Sequence, residues 1–308
     1  MKKIVFALLL IFISHLSNAQ NLYLRTFGGA KSKAIIFLHG GPGYNCASFE
    51  ATTAKRLADS GYFVIIYDRR GEGRSFDKDA SYNFKQTFED LNKIYKILNL
   101  KQATLLGHSF GGVIATLYAE KYPEKINSVI LASAPVSLQR SFKTIIKTSK
   151  EKYAAKNDTA NLNYISMLEK MDTASLMYSS YCFSHAMNNG FYSTKKRSPE
   201  AMAIYSTFGK DTLIRYASLM TGDAPAGFWK NEKYTTIDLT NGIKKLVQQK
   251  IKVFGIYGKE DGLYSPEEVT ELADIIGTNN LLYLQNCSHN SFIDQQALFI
   301  EAIQKWVQ

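Results

Sequence analysis

A serine hydroxyl attacks a carbonyl only when a base takes its proton and a third group orients that base. The run Gly107-His108-Ser109-Phe110-Gly111-Gly112 offers such a serine in the setting this chemistry uses. The apolar stretch Ala103 to Leu106 precedes it, and the helix-like stretch Val113 to Lys121 follows. A serine at a sharp strand-to-helix turn stands at the top of a sheet, with free N–H groups and the positive end of the helix dipole behind it. Gly107 and Gly111 are the small residues that let strand and helix approach closely at that turn.

The base follows by elimination among five histidines. His15 lies in a segment expected to be removed, and His39 sits in a glycine loop. His108 adjoins the serine, where the turn would point it elsewhere, and His185 falls in a long middle region. His289 remains, on a loop between the strand-like Leu281 to Leu284 and a final helix. A loop at the carboxyl edge of the last strand can reach over the sheet to Ser109. In this chain order the acid falls between serine and histidine. The strand-like Ile251 to Tyr257 runs into Gly258-Lys259-Glu260-Asp261-Gly262, so Asp261, at the bend, is the expected acid and Glu260 the fallback. Ala132-Ser133-Ala134-Pro135, after an earlier strand, offers no carboxylate.

Acyl transfer also needs N–H donors for the developing oxyanion. The backbone N–H of Phe110 is one. The strand-like Ala34 to Leu38 leads into His39-Gly40-Gly41-Pro42-Gly43, whose Gly41 N–H is the expected second donor, with Pro42 stiffening the loop and His39 bracing it.

To position these groups the chain alternates strand-like and helix-like segments, which makes an α/β fold with a mostly parallel sheet of about seven strands and helices on both faces. Strands are expected at 23–27, 34–38, 63–67, 104–106, 128–132, 251–257 and 281–284, and helices at 49–60, 87–98, 110–122, 266–276 and 295–307. About 110 residues, Val136 to Val247, break the alternation with helix-like sequence rich in Tyr and Met.

These segments resemble the α/β-hydrolase superfamily, and within it the proline iminopeptidase branch. The run at 39–43 is similar to that branch's oxyanion loop, and Tyr67-Asp68-Arg69-Arg70-Gly71-Glu72-Gly73-Arg74-Ser75 resembles its Asp-x-Arg-Gly-x-Gly-x-Ser turn. The serine turn, the late aspartate and the near-terminal histidine match in order. The resemblance covers about 22–135 and 250–308. It implies a helical lid (136–247) inserted after the sixth strand of the core (20–135 and 248–308). With few residues ahead of the strand at 34, one antiparallel edge strand is expected where the fold usually has two. The aromatic residues Tyr178, Tyr181 and Phe183 are candidates for the lid's pocket wall, with ordinary packing inside the lid the alternative.

The implied activity is an aminopeptidase acting on small peptides with a free N-terminus. An acyl-ester hydrolase is the rival enzyme, and a non-catalytic binding protein on the same fold the rival from another class. Two acidic side chains facing Ser109 from the lid would favour the peptidase; Glu169, Asp172, Asp223 and Glu232 are the candidates. A serine at 109 disfavours hydrolases that use an aspartate nucleophile.

Composition sets outer bounds. The 308 residues, 45% of them hydrophobic, suffice for one large core. Residues 1–19 read as a secretory signal: a basic start, an apolar run from Ile4 to Ile13 and the small-residue site Ser17-Asn18-Ala19. The mature chain is therefore expected to begin near Gln20, exported to the periplasm or beyond, without stable membrane insertion. Cys46, Cys182 and Cys287 leave one disulfide or three buried thiols open, and their spacing suggests no metal site. The net charge of +10 comes mainly from middle-region lysines such as Lys143, Lys147 and Lys150, which read as a solvated face. No motif for nucleic acid is present, and the chemistry calls for no cofactor.

Overall fold

The computed structural model describes residues 22–308. Its sheet has seven strands, β1 (Leu24–Phe27), β2 (Lys33–Leu38), β3 (Tyr62–Tyr67), β4 (Ala103–His108), β5 (Ile126–Ala132), β6 (Lys252–Gly258) and β7 (Leu281–Leu284), in the order β1-β3-β2-β4-β5-β6-β7. Only β1 runs antiparallel to its neighbour β3; the remaining pairs are parallel. The single antiparallel edge strand is the trimmed edge expected from the short N-terminal segment. The predicted signal segment lies outside the described residues.

A parallel sheet is covered on both faces, so its strands read as continuous apolar runs. Alternate residues of each run feed two cores. Ile36, Leu38, Ile65 and Leu105 pack with Val113, Ile114 and Tyr118 on one face. Ile35, Phe37, Val64, Ile66 and Leu106 pack with Phe292, Phe299 and Ile303 on the other. The first predicted helix is instead a composite, Ala47–Phe49 and Lys55–Asp59 joined through the wider π turn Glu50–Ala54. Glu50 in that turn is buried and bonded to Tyr23 Oη at 2.8 Å and Arg74 Nη1 at 2.7 Å.

The middle region lies between β5 and β6. It therefore follows the fifth strand of this sheet where the sixth was expected, because the trimmed edge lowers the count by one. It forms helices Leu138–Ala155, Thr159–Leu168, Leu176–Asn188, Pro199–Thr207, Ile214–Ala217, Asp223–Glu232 and Thr240–Gln248. The last of these packs on the sheet helix Phe110–Lys121 and on β6, burying Ile243 and Leu246. Among the described residues no helix is long and apolar enough to cross a membrane.

Candidate active site

The expected site residues gather at the carboxyl ends of β2, β4, β6 and β7, where ligands bind in open α/β sheets. Ser109 joins β4 to the helix Phe110–Lys121 with φ 52° and ψ −124°, a conformation that costs a non-glycine residue about 1–3 kcal/mol. The strain is held from both sides. Its N–H donates to Ala132 O at 3.0 Å, and its carbonyl accepts from Gly112 N at 2.8 Å. The turn also needs missing side chains: a Cβ on Gly111 would stand 1.9 Å from Leu38 O, and one on Gly107 2.5 Å from Gly111 O. Ser109 itself is half-buried.

His289 and Asp261 are both buried, and His289 Nδ1 lies 2.8 Å from Asp261 Oδ2. A proton on Nδ1 satisfies that contact and leaves Nε2 with its lone pair. Asp261 Oδ1 accepts the N–H of Leu263 at 3.1 Å, which fixes the carboxylate plane. Glu260, the fallback acid, points away and accepts the Lys195 N–H at 2.6 Å. Among the described residues the Ser109 hydroxyl makes no hydrogen bond to the His289 ring. Such contacts are often long until substrate is bound.

His108 has a part that its position next to the serine did not suggest. Its ring is buried, 4.9 Å from the His289 ring centroid, and its Nε2 lies 3.0 Å from the His289 carbonyl. Burial, and then the nearby His289 charge, lower its pKa to about 3, so the neutral ring donates its one N–H to that carbonyl. The serine turn and the histidine loop are thereby tied together. His39 braces its loop: Nδ1 meets Gly40 O at 2.8 Å, and Nε2 accepts the Arg69 N–H at 3.0 Å. Burial, then Arg69, pushes its pKa well below the usual imidazole range. His185 is bonded to Tyr153 Oη inside the middle region, and His15 lies outside the described residues.

The oxyanion loop passes directly over the serine, since a Cβ on Gly40 would be 3.2 Å from Ser109 Cβ. Neither Gly41 N–H nor Phe110 N–H donates a hydrogen bond among the described residues, so both expected donors are free. Two residues of the Asp-x-Arg-Gly turn stand behind this loop as a buried ion pair, Arg69 and Glu72. Their loop contacts were not foreseen from the sequence.

The expected pocket wall is placed otherwise. Tyr178 and Phe183 both pack edge-on against Phe142 within the middle region, and Tyr181 is 49% exposed. Aromatic residues against the site residues include Phe228 and Tyr234, 5.2 and 5.5 Å from the Phe110 ring, and Tyr192 and Tyr264, 5.2 and 6.2 Å from the His289 ring. Of the four candidate acids, Glu169 is taken by Lys150 at 2.8 Å and Glu232 by the Phe84 N–H at 2.7 Å. Asp172 accepts the Ala174 N–H at 3.0 Å. Asp223 opens the helix Asp223–Glu232 beside the oxyanion loop, where Thr221 N–H donates to Gly43 O at 3.0 Å.

All three cysteines are free and buried. Burial raises the Cys287 thiol far above its ordinary value, which is no setting for a nucleophilic thiolate. Among the described residues no group of three or more His, Cys, Asp or Glu could hold a metal ion.

Comparison with known proteins places the fold in a family. A family profile described as alpha/beta hydrolase fold matches residues 33–296. The proline iminopeptidase of Lacticaseibacillus rhamnosus (strain Lc 705) is 26% identical over 92% of this chain and 94% of its own length. That of Clostridioides difficile (strain 630) is 26% identical over 89% of each. Among solved structures, a proline iminopeptidase-related protein from Thermus thermophilus superposes with TM-score 0.64 at 22% identity, over 92% of each chain. An esterase from Exiguobacterium antarcticum superposes with TM-score 0.61 at 20% identity, over 93% of this chain and 95% of that one. The chain is a hydrolase and belongs to the α/β-hydrolase fold family.

Proposed function

We propose that this chain is an exported serine hydrolase that releases N-terminal residues from short peptides through an acyl-enzyme, with Ser109 as nucleophile, His289 as base and Asp261 as the orienting acid. The observation that carries the reading is the 2.8 Å contact between His289 Nδ1 and Asp261, which leaves Nε2 free to accept a proton, together with the strained turn at Ser109. His289 takes the Ser109 proton as the oxygen attacks the carbonyl carbon, and the carbonyl electron pair moves onto oxygen beneath the Gly41 and Phe110 N–H groups. The tetrahedral adduct collapses, the C–N bond breaks, and His289 gives its proton to the leaving amine. Water, deprotonated by the same ring, then frees the acid and restores Ser109.

Likeness to proline iminopeptidases over nine-tenths of the chain supports the peptidase reading. Asp223 is the acid assigned to the substrate's ammonium, because the segment it opens rests on the oxyanion loop while its three rivals have protein partners. The other reading, an acyl-ester hydrolase, has its own support. Asp223 stands without a second acid from the candidate set, and Lys230 lies two turns along the same helix.

The test is purified mature protein on prolyl and other aminoacyl amides beside short p-nitrophenyl esters. Amide turnover with a KM that rises at least tenfold in Asp223→Asn supports the peptidase. Ester turnover indifferent to that change transfers the protein to the esterases. Ser109→Ala should abolish both activities while leaving the thermal midpoint within a few degrees; full activity in that variant refutes the mechanism. Export is tested by N-terminal sequencing of the mature protein, which should begin near Gln20.

A further inference from the structure

We infer that Arg69 is a positioning residue for the oxyanion hole: it polarises and orients the very peptide whose N–H faces the substrate. The inference rests on the proposed role of Gly41 N–H. Arg69 Nη2 donates to Gly40 O at 2.6 Å. That carbonyl belongs to the peptide that ends in the Gly41 N–H. A cation on the oxygen of a peptide draws electron density from its nitrogen, so the N–H at the opposite end becomes a stronger donor. His39 Nδ1 lies on the same oxygen at 2.8 Å, and Arg69 Nη1 holds the preceding carbonyl, His39 O. Two successive carbonyls are therefore held by one planar guanidinium, which fixes the tilt of the peptide between Gly40 and Gly41.

The guanidinium cannot wander. Arg69 Nε and Nη2 pair with Glu72 Oε1 and Oε2 at 3.0 and 2.8 Å, and both side chains are almost wholly buried. Glu72 Oε2 also accepts the Gly43 N–H at 2.9 Å, so the same pair grips both ends of the loop 39–43. Arg69 also lies 5.4 Å from the centroid of the Phe110 ring, the side chain of the residue that carries the other expected donor. A Cβ at Gly41 would come 3.0 Å from Arg69 Nη2, which gives a steric reason for glycine there beyond its φ of 122°. Glu72 takes two of the five guanidinium N–H donors, and the two carbonyls of the oxyanion loop take others, so the loop and the ion pair are built as one unit.

Arg69→Lys tests this with charge retained but the two-carbonyl fork lost. The double variant Arg69→Met/Glu72→Gln removes the charge of both partners together, so that no ion is left buried alone. The probes are a trifluoromethyl ketone analogue of the best substrate from the panel and the corresponding alcohol. Ser109 Oγ adds to the ketone carbon, the carbonyl pair becomes an oxyanion in the hole, and the proton passes to His289. The alcohol binds the same pocket and forms no such adduct. Removal of one oxyanion donor costs roughly 100- to 1,000-fold, and weakening it should cost less.

In folded variants, kcat and ketone affinity should fall roughly 10- to 100-fold, with KM and alcohol affinity within threefold. Equal losses for ketone and alcohol, or no loss for the ketone, overturn the inference. If the wild-type protein neither binds the ketone nor is labelled at Ser109 by a fluorophosphonate, the nucleophile assignment itself has failed, and the role of Arg69 with it.

Discussion

Ser109 stands between two halves of a site that are secured in different ways. On the oxyanion side, the side-chain restraints come from the sheet's own first loops: His39, Arg69 and Glu72 hold residues 39–43 and lie within 34 positions of one another. On the base side, the loops carrying Asp261 and His289 are held largely by the middle region. Gly262 N–H donates to Phe191 O at 3.1 Å, Lys195 N–H to Glu260 at 2.6 Å, and Ser288 Oγ to Tyr192 O at 2.9 Å. Buried Asp294 receives Ser288 N–H at 2.8 Å and Tyr205 Oη at 3.0 Å, while its carbonyl accepts from Ser198. The oxyanion side thus leans on the middle region at few points, among them Thr221 N–H on Gly43 O at 3.0 Å, whereas placement of the Asp261 and His289 loops depends on many. A family can vary its inserted helices without disturbing the loops of Asp261 and His289 only if the segment 191–205 keeps its contacts.

The most severe way to break the base side leaves the oxyanion side whole. Asp261→Asn is nearly isosteric, yet its amide cannot accept the Nδ1 proton as a carboxylate does, and the ring is turned to the wrong tautomer. Turnover should fall about 10,000-fold, with little change in the thermal midpoint. A loss under tenfold would mean that another group orients His289.

A second break falls on the tie between the halves. His108 is buried and neutral with its pKa lowered to about 3, so the folded protein excludes a proton that the unfolded chain binds near pH 6.5. The sign follows from linkage: its contribution is fully present above pH 6.5 and is lost as pH falls from there toward 3, at up to about 1.4 kcal/mol per unit. His39, also lowered, acts in the same sense. Glu72 and Asp294 are raised by burial and act oppositely, their contribution falling as pH rises through their raised values. Only the difference between wild type and His108→Gln isolates one group. Urea unfolding from pH 7 to pH 4.5 should show the variant losing stability with a slope shallower by one proton. Parallel curves would contradict the buried neutral ring.

How much of this could be read from the chain depends on the range of the contact. The strands, the strained turn at Ser109 and the pairing of Asp261 with His289 were legible because each announces itself locally, through apolar runs, a glycine-flanked serine, and polar loops after late strands. Asp261 could be preferred to Glu260 because it adjoins the bend. The Arg69 contacts were not legible, since nothing in a local run indicates that a side chain at 69 reaches carbonyls at 39 and 40. Of the two readings of Tyr178, Tyr181 and Phe183, packing inside the middle region fits Tyr178 and Phe183 for a simpler reason. Helix Leu176–Asn188 buries Tyr178, Cys182, His185 and Ala186, a spacing of four, seven and eight, which turns Met177 and Tyr181 outward. That period is present in the sequence, overlaid by the cluster of aromatic residues. Phe228, Tyr234 and Tyr192, which do approach the site, are scattered and carry no pattern of their own.

A milder change sharpens the comparison. Tyr205→Phe removes one bond to Asp294 and should cost about 2 kcal/mol of stability, the range for a bond to a charged group. Loosening of the Ser288–His289 backbone should lower kcat by up to about tenfold. Labelling by fluorophosphonate should slow in step, and the ratio of ketone to alcohol affinity should stay unchanged because the oxyanion side is untouched. A shift in that ratio would mean the two halves are coupled through Ser109 itself.

The smallest expected effect is the control that gives the others meaning. Arg140 in helix Leu138–Ala155 pairs with Glu271 in helix Pro266–Ile276, so it also joins the middle region to the sheet layers. Both side chains are largely in water, where such a pair competes with hydration and is screened by salt. Glu271→Gln should leave kcat and KM within twofold and produce no measurable shift in thermal midpoint at about 0.15 M salt. If it instead matched the loss in Tyr205→Phe, any contact between the middle region and the sheet would do. The base would then be placed by the general seating of the inserted helices, and the specific restraints from residues 191–205 would lose their claim.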